Sequence, residues 1–229
     1  MSYTRAAEMI ESHTREGGVL DFGPERSRLV LRVQRTLAEG RPVSTEQGDQ
    51  FVADLGLDPA EADQFLRQVT ERDADDDITG ICALSLNATP HRLSVNGIRL
   101  WAWCAADTLF LPALLEQTAT VESTSPVSGE TVRLTVSPQR VERVDPPDAV
   151  VSIVIADANA ANVSSVDAIW GTYCHHIFFF ASRGEAEQWA AGRDDIAILS
   201  VQEGFDVSRR IAARILGYTE GSSVAQSTH

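Results

Sequence analysis

The sequence predicts an α+β fold, with an N-terminal helical, winged-helix-like bundle followed by a mixed, mainly antiparallel sheet domain with packed helices. Three observations carry this expectation. Apolar residues recur at helical spacing through the first third of the chain. From Ile81 onward the pattern changes to short, strand-sized apolar runs. Strands and helices then alternate irregularly, which argues against a doubly wound parallel sheet. The expected boundaries are residues 1–80 for the helical region, 81–218 for the α+β domain and 219–229 for a disordered tail.

Within the bundle, Leu29, Val30, Val33 and Leu37 mark one helix by their spacing. Ser44 opens a second, with Gln47 three residues on as a capping box. Phe51, Val52 and Leu55 form its apolar face, and Gly56 stops it. Asp58 caps a third helix, with Pro59 at its first position and Glu61 completing the box. Ala62, Phe65, Leu66 and Val69 form its inner face, and the acidic run Asp73–Asp77 ends the bundle. Three short helices followed by strands suggest a DNA reader. The third helix, however, sets Glu61, Asp63 and Glu71 against only Arg67 and Arg72, whereas a recognition helix needs a basic face. The bundle therefore reads as a structural or lid element.

In the second part, Ile81–Leu86, Arg92–Val95 and Ile98–Trp103 read as strands, with Asn96-Gly97 as a hairpin turn between the last two. A helix is expected from about Cys104, interrupted near Pro112. Thr131–Val136, Val150–Ile155, His175–Phe180 and Ile196–Val201 are further strands. Ser182 with Glu185 opens a helix containing Trp189, and Val207–Leu216 is a final amphipathic helix.

Composition narrows the function. The chain has 229 residues, 43% of them apolar, enough to bury a sizeable core. Its net charge of -14 disfavours nucleic acid, whose phosphates it would repel. No apolar run approaches a membrane span, and the first residues lack the pattern of a signal peptide. The expected location is the cytoplasm, with neither nucleic acid nor membrane as partner. The glycosylation-like triplets at Asn87 and Asn162 are then chance matches. Three cysteines, Cys82, Cys104 and Cys174, are too few and too odd for a disulfide framework, and a reducing compartment keeps them as thiols.

Dinucleotide fingerprint, P-loop, serine nucleophile elbow and CxxC pair are all missing. What stands out is Trp101-Ala102-Trp103-Cys104-Ala105-Ala106-Asp107 at a strand-to-helix junction. A helix beginning near Cys104 would put Cys104 and Asp107 on one face, Cβ atoms roughly 5–6 Å apart. Its dipole would lower the thiol pKa, and Asp107 would take and return the proton. An isolated cysteine is more often a buried structural residue. The second constellation is Tyr173-Cys174-His175-His176-Ile177-Phe178-Phe179-Phe180. Cysteine and histidine could hold a metal. On a strand, though, Cys174 and His176 share a face that His175 does not, so both histidines cannot easily join the thiol. Cys82, inside a strand pattern without charged neighbours, reads as structural.

Taken together, WAWCAADTLFLPALL, TVRLTVSP, YCHHIFFFAS and IAILSVQEGF resemble the organomercurial (alkylmercury) lyases, from about Ile81 to Leu216. The helical N-terminal part resembles that family's winged-helix-like region more weakly. The resemblance implies Cys104, Asp107 and Cys174 as catalytic residues, with the two cysteines and Asp107 also meeting the mercury of substrate and product. Many members carry another cysteine in the segment matching Glu122–Gly129, serving structure more than reaction; Ser125 is its counterpart here. His175 stands where some members have a further cysteine.

Soft thiolates select soft metals, and mercury(II) is among the softest. The expected order is capture of the organomercurial by Cys104, entry of Cys174, and protonation of the carbon by Asp107. A hydrocarbon leaves, and mercury(II) stays on the thiolates until low-molecular-weight thiols or a mercuric reductase remove it. No organic cofactor or resident metal is required. Two rivals are a non-catalytic thiol carrier of heavy metal and a metal-responsive regulator. A carrier has no use for Asp107, and the acidic charge opposes the regulator.

Overall fold

The computed structural model describes residues 2–156 and 162–220. Helix α1 (Ser2–Thr14) precedes α2 (Gly23–Leu37), α3 (Thr45–Asp54) and α4 (Pro59–Val69). The expected caps form: Ser44 Oγ accepts from Gln47 N, and Asp58 Oδ1 accepts from Ala60 N and Glu61 N. These contacts satisfy amide donors that a helix start leaves unpaired. Strands β1 (Thr70–Arg72) and β2 (Ile78–Ile81) form a ribbon after α4, and Val43 bridges to Ile78 beside it. Helix α1 has no counterpart among the helices read from the sequence.

The following strands are β3 (Leu84–Ser85), β4 (His91–Val95), β5 (Ile98–Ala102), β6 (Ala119–Thr124), β7 (Thr131–Val136) and β8 (Val141–Asp145). Together with β1 and β2 they make an eight-stranded sheet in the order β1-β2-β3-β5-β4-β6-β7-β8, every pair antiparallel. The Asn96-Gly97 hairpin is present, both residues at positive φ as a type I′ turn requires. A second sheet joins β9 (Val150–Val154), β10 (Phe179–Phe180) and β11 (Ile196–Ser200), again antiparallel, with β9 central. All five residues of β9 are buried, Ser152 among them.

Helix α5 (Asp107–Leu115) follows β5, α6 (Val166–Thr172) and α7 (Arg183–Trp189) flank β10, and α8 (Val201–Glu220) closes the described chain. Helix α8 packs against α1, α2 and α5. Gly204 makes that packing close: a Cβ there would stand 2.5 Å from Val151 Cγ1 on β9. One buried cluster takes side chains from α1, α2, both sheets, α5 and α8. The α+β class expected from the sequence is the one observed. Of the expected tail, residues 221–229 lie outside the described residues.

Four local expectations need correction. The strand expected over Ile81–Leu86 is split, because Cys82 and Ala83 take positive φ and turn β2 into β3. The helix expected from Cys104 begins at Asp107. It also runs through Pro112, because burial of Leu111, Leu114 and Leu115 outweighs one lost backbone bond. The strand expected over His175–Phe180 shrinks to Phe179–Phe180; Cys174–His176 instead form a 3-10 turn.

Candidate active site

Two segments distant in sequence meet where β5 gives way to α5. The chain leaves β5 at Ala102 and turns through Trp103–Ala106 before α5 starts. Asp107, the first residue of that helix, folds its side chain back, and Oδ2 accepts the amide of Cys104 at 2.8 Å. A carboxylate here faces free amides and the positive end of the helix. The second segment is the 3-10 turn, reached from α6, whose start Ser165 caps. Ala105 N donates to Ile177 O at 3.2 Å and clamps this turn against the first segment.

The clamp brings Cys104, Asp107 and Cys174 together. One ligand atom from each, two sulfurs and a carboxylate oxygen, lies within 4.8 Å of the others. Among the described residues this is the one such group of His, Cys, Asp or Glu side chains. Cys104 is 2% exposed and Cys174 6%. Both face a cavity of about 290 Å³ with walls from α1, α5, the 3-10 turn and α8. Met9, Ile10, Phe65, Phe110, Ile153 and Ile211 make most of that wall apolar.

Burial dominates the electrostatics. It pushes the Asp107 carboxyl up to about 7, against the lowering effect of its hydrogen bonds from Cys104. Burial also lifts the Cys104 thiol well above its ordinary value, with its hydrogen bond to Cys174 and the Asp107 charge adding to the rise. The bond to Cys104 pulls Cys174 downward, yet burial and the Asp107 charge leave it above its ordinary value. This corrects the expectation of a thiol acidified by a helix dipole: Cys104 stands three residues before the helix, in a site too dry for a lone thiolate. A thiol here loses its proton when something replaces it on sulfur, and Asp107, poised near neutrality, is the base within reach.

Around the three residues lie contacts that sequence reasoning missed. Tyr173, next to Cys174, bonds through its hydroxyl to His13 Nε2 at 2.8 Å. His13 Nδ1 donates to Met9 O at 2.7 Å, so Nε2 is the acceptor and the tyrosine hydroxyl donates. This pair ties α1 to the turn that bears Cys174, across 160 residues that no local motif spans. Trp103 Nε1 donates to the Glu71 carboxylate, which also accepts from Ser85 Oγ and Asn87 Nδ2. Of the aromatics in the two sequence motifs, Trp103 and Tyr173 line the cavity, and Trp101 and Phe178 do not. Phe178 packs on Trp189 instead.

Neither histidine beside Cys174 joins it. His175 lies against the Trp170 ring, and His176 Nδ1 meets Arg193 Nη1 at 3.4 Å. Ser125 is buried away from the cavity and donates to Glu185 Oε2 at 2.8 Å, tying β6 to α7. Cys82, read from the sequence as structural, lines the same cavity as Cys104 and Asp107. No helix among the described residues is long and apolar enough to cross a membrane.

Two buried thiols sharing an apolar cavity with a carboxyl group held near neutrality are a donor set that suits a soft metal, with a proton donor and acceptor beside it. Comparison with known proteins gives the family. The alkylmercury lyase (MerB) family model matches residues 84–213. The alkylmercury lyase of Staphylococcus epidermidis is 36% identical over 82% of this chain and 84% of its own length. Those of Pseudomonas putida and Streptomyces lividans are also 36% identical, over 86% and 87% of this chain and 88% and 87% of their own. The solved structure of the mercury-bound form of MerB2 shares the fold, with a TM-score of 0.71 at 22% identity, covering 93% of this chain and 99% of that one. This chain belongs to the alkylmercury lyase family.

Proposed function

We propose that this enzyme cleaves the carbon–mercury bond of organomercurials by protonolysis, with Cys104 and Cys174 as mercury ligands and Asp107 as proton relay. The observation that carries the reading is the approach of two sulfurs and one carboxylate oxygen to within 4.8 Å in an apolar cavity. A metal carrier would gain nothing from a carboxyl group held near neutrality beside its thiols.

The substrate enters as an alkyl- or arylmercury thiolate. Cys104 displaces the outgoing thiolate, and the Cys104 proton passes by way of Asp107 to that thiolate. Cys174 then adds its sulfur to mercury and gives its proton to Asp107. Two thiolates raise the electron density on mercury and load negative charge onto carbon. Asp107 delivers the proton as the carbon–mercury bond breaks, so no free carbanion forms. Hydrocarbon departs, mercury stays divalent on two sulfurs, and Asp107 is again a carboxylate. The apolar wall keeps water from competing as proton donor or ligand.

As written, the cycle consumes no organic cofactor; mercury takes part only as substrate and product. Low-molecular-weight thiols, or the thiols of a mercuric reductase, then remove mercury(II). The deciding experiment is headspace analysis of reduced protein given phenylmercury and excess thiol. Benzene released over many turnovers supports the reading; tight mercury retention without benzene would replace it with a carrier.

A further inference from the structure

The third cysteine occupies an unusual place. Gly80 pairs with Ser85 and Ile81 with Leu84, so Cys82 and Ala83 are the two central residues of a tight hairpin. Their φ values, 40° and 88°, are those of a type I′ turn, a position that favours asparagine and glycine. A side chain is kept there despite the backbone cost. The turn is pinned on both sides: Cys82 N donates to Val69 O, and Gln34 Nε2 donates to Cys82 O at 2.9 Å.

The β3–β5 ladder aims this turn at the reacting thiols. Leu84 lies opposite Ala102, and the next rung is made by Trp103 N donating to Ala83 O at 2.9 Å. Cys82 and Cys104 are the residues just beyond that rung on the two segments, and the Asp107 charge reaches the Cys82 thiol. Both side chains line the one cavity, which Cys174 and Asp107 also face. Three soft ligands and one base therefore surround a single space.

We propose that Cys82 is a third sulfur ligand for the mercury(II) that Cys104 and Cys174 hold after cleavage. The proposal rests on the reading above. Cys82 stands outside the trio whose ligand atoms lie within 4.8 Å of one another, so its thiol swings toward the metal by a change of rotamer. The step balances. A sulfur–mercury bond forms as the Cys82 S–H bond breaks, and the proton passes to the Asp107 carboxylate that protonation of carbon has left behind; the two existing sulfur–mercury bonds stay intact. Mercury remains divalent. A third thiolate lengthens and weakens the other two bonds, which gives incoming thiols an associative route to the product.

The test uses full-length reduced protein loaded with one equivalent of mercuric chloride, free of added thiol. Three-coordinate mercury thiolates absorb at longer ultraviolet wavelengths than linear two-coordinate ones. The parent is expected to show the longer-wavelength band, and Cys82→Gly to lose it while still binding one mercury. Glycine suits the positive φ, and Cys82→Asn, also suited to the turn, guards against an artefact of backbone freedom. A parent with only the two-coordinate spectrum, or a three-coordinate band surviving in both variants, overturns the proposal. Benzene release from phenylmercury by the same parent preparation tests the underlying function separately, since it does not depend on which band appears.

Discussion

The amide of Cys104 donates to Asp107 Oδ2 across 2.8 Å, so the residue bearing the first thiol also anchors the acid. The anchor costs the site no acid–base capacity, because burial still holds Asp107 up to about 7. Thiol and acid keep a fixed relation at the start of α5 however the rest of the cavity adjusts. The Cys104 sulfur and a carboxylate oxygen also lie within 4.8 Å of each other, so the thiol proton has an acceptor at hand.

Cys104→Ser and Cys174→Ser are each expected to abolish cleavage. A hydroxyl is too hard a ligand to replace a thiolate on mercury, and one thiolate leaves the carbon–mercury bond intact. Both side chains are buried and serine is close in size, so the fold should persist. Circular dichroism with hydrocarbon analysis checks this; turnover by either variant at a tenth of the parent rate or more contradicts the two-thiolate scheme.

The raised pKa of Asp107 predicts a pH dependence in two quantities. Cleavage needs the carboxylate as base, so kcat/KM should rise as pH passes through about 7. Stability should move the opposite way. Below about pH 4 the acid is neutral in both folded and unfolded chains, and it contributes nothing. Between there and pH 7 only the unfolded chain ionises, so this group's contribution falls, by about 4 kcal/mol in full. Asp107→Asn removes the cost and should flatten that part of the profile, making the variant the more stable protein at pH 8. Urea titrations of both proteins at pH 5 and pH 8 measure it; an unchanged gap between them at the two pH values would refute it.

Gly204→Ala tests the packing of α8 on β9. Alanine favours a helix over glycine by about 1 kcal/mol. Its Cβ would meet Val151 Cγ1 at 2.5 Å, and overpacking of a buried contact costs about 1–3 kcal/mol. A net loss of up to about 2 kcal/mol is expected in urea unfolding; a gain would mean that Val151 yields freely.

Much of this architecture was legible because it rests on local chemistry. Ser44 with Gln47, Asp58 with Glu61, Asn96-Gly97 and Ser182 with Glu185 each announced a cap or turn that forms. Thr131–Val136 is a strand over the very residues its alternation marked. Legibility failed where tertiary demands override local preference. Cys82-Ala83 carries no turn signature, yet closes a type I′ hairpin because Val69 and Gln34 hold it. Cys174 sits on a 3-10 turn rather than a strand because Ile177 is bound to Ala105. The partnership of Cys104, Asp107 and Cys174 was expected from a resemblance to a family; spacing alone could not give it, since 66 residues separate Asp107 from Cys174. Nothing local foretold His13 on Tyr173 or Cys82 beside the site.

The most direct test of the account is a single-turnover comparison of parent and Asp107→Asn, each mixed with one equivalent of phenylmercury. Asparagine keeps the oxygen that accepts the Cys104 amide, so both sulfurs should still bind mercury. It cannot carry a proton to carbon, and loss of such help costs about 10²–10⁴ in rate. The account predicts phenylmercury held on the variant in stoichiometric amount, with benzene released at least about 100-fold more slowly than by the parent. Benzene released at the parent rate would remove Asp107 from the mechanism and contradict the central claim.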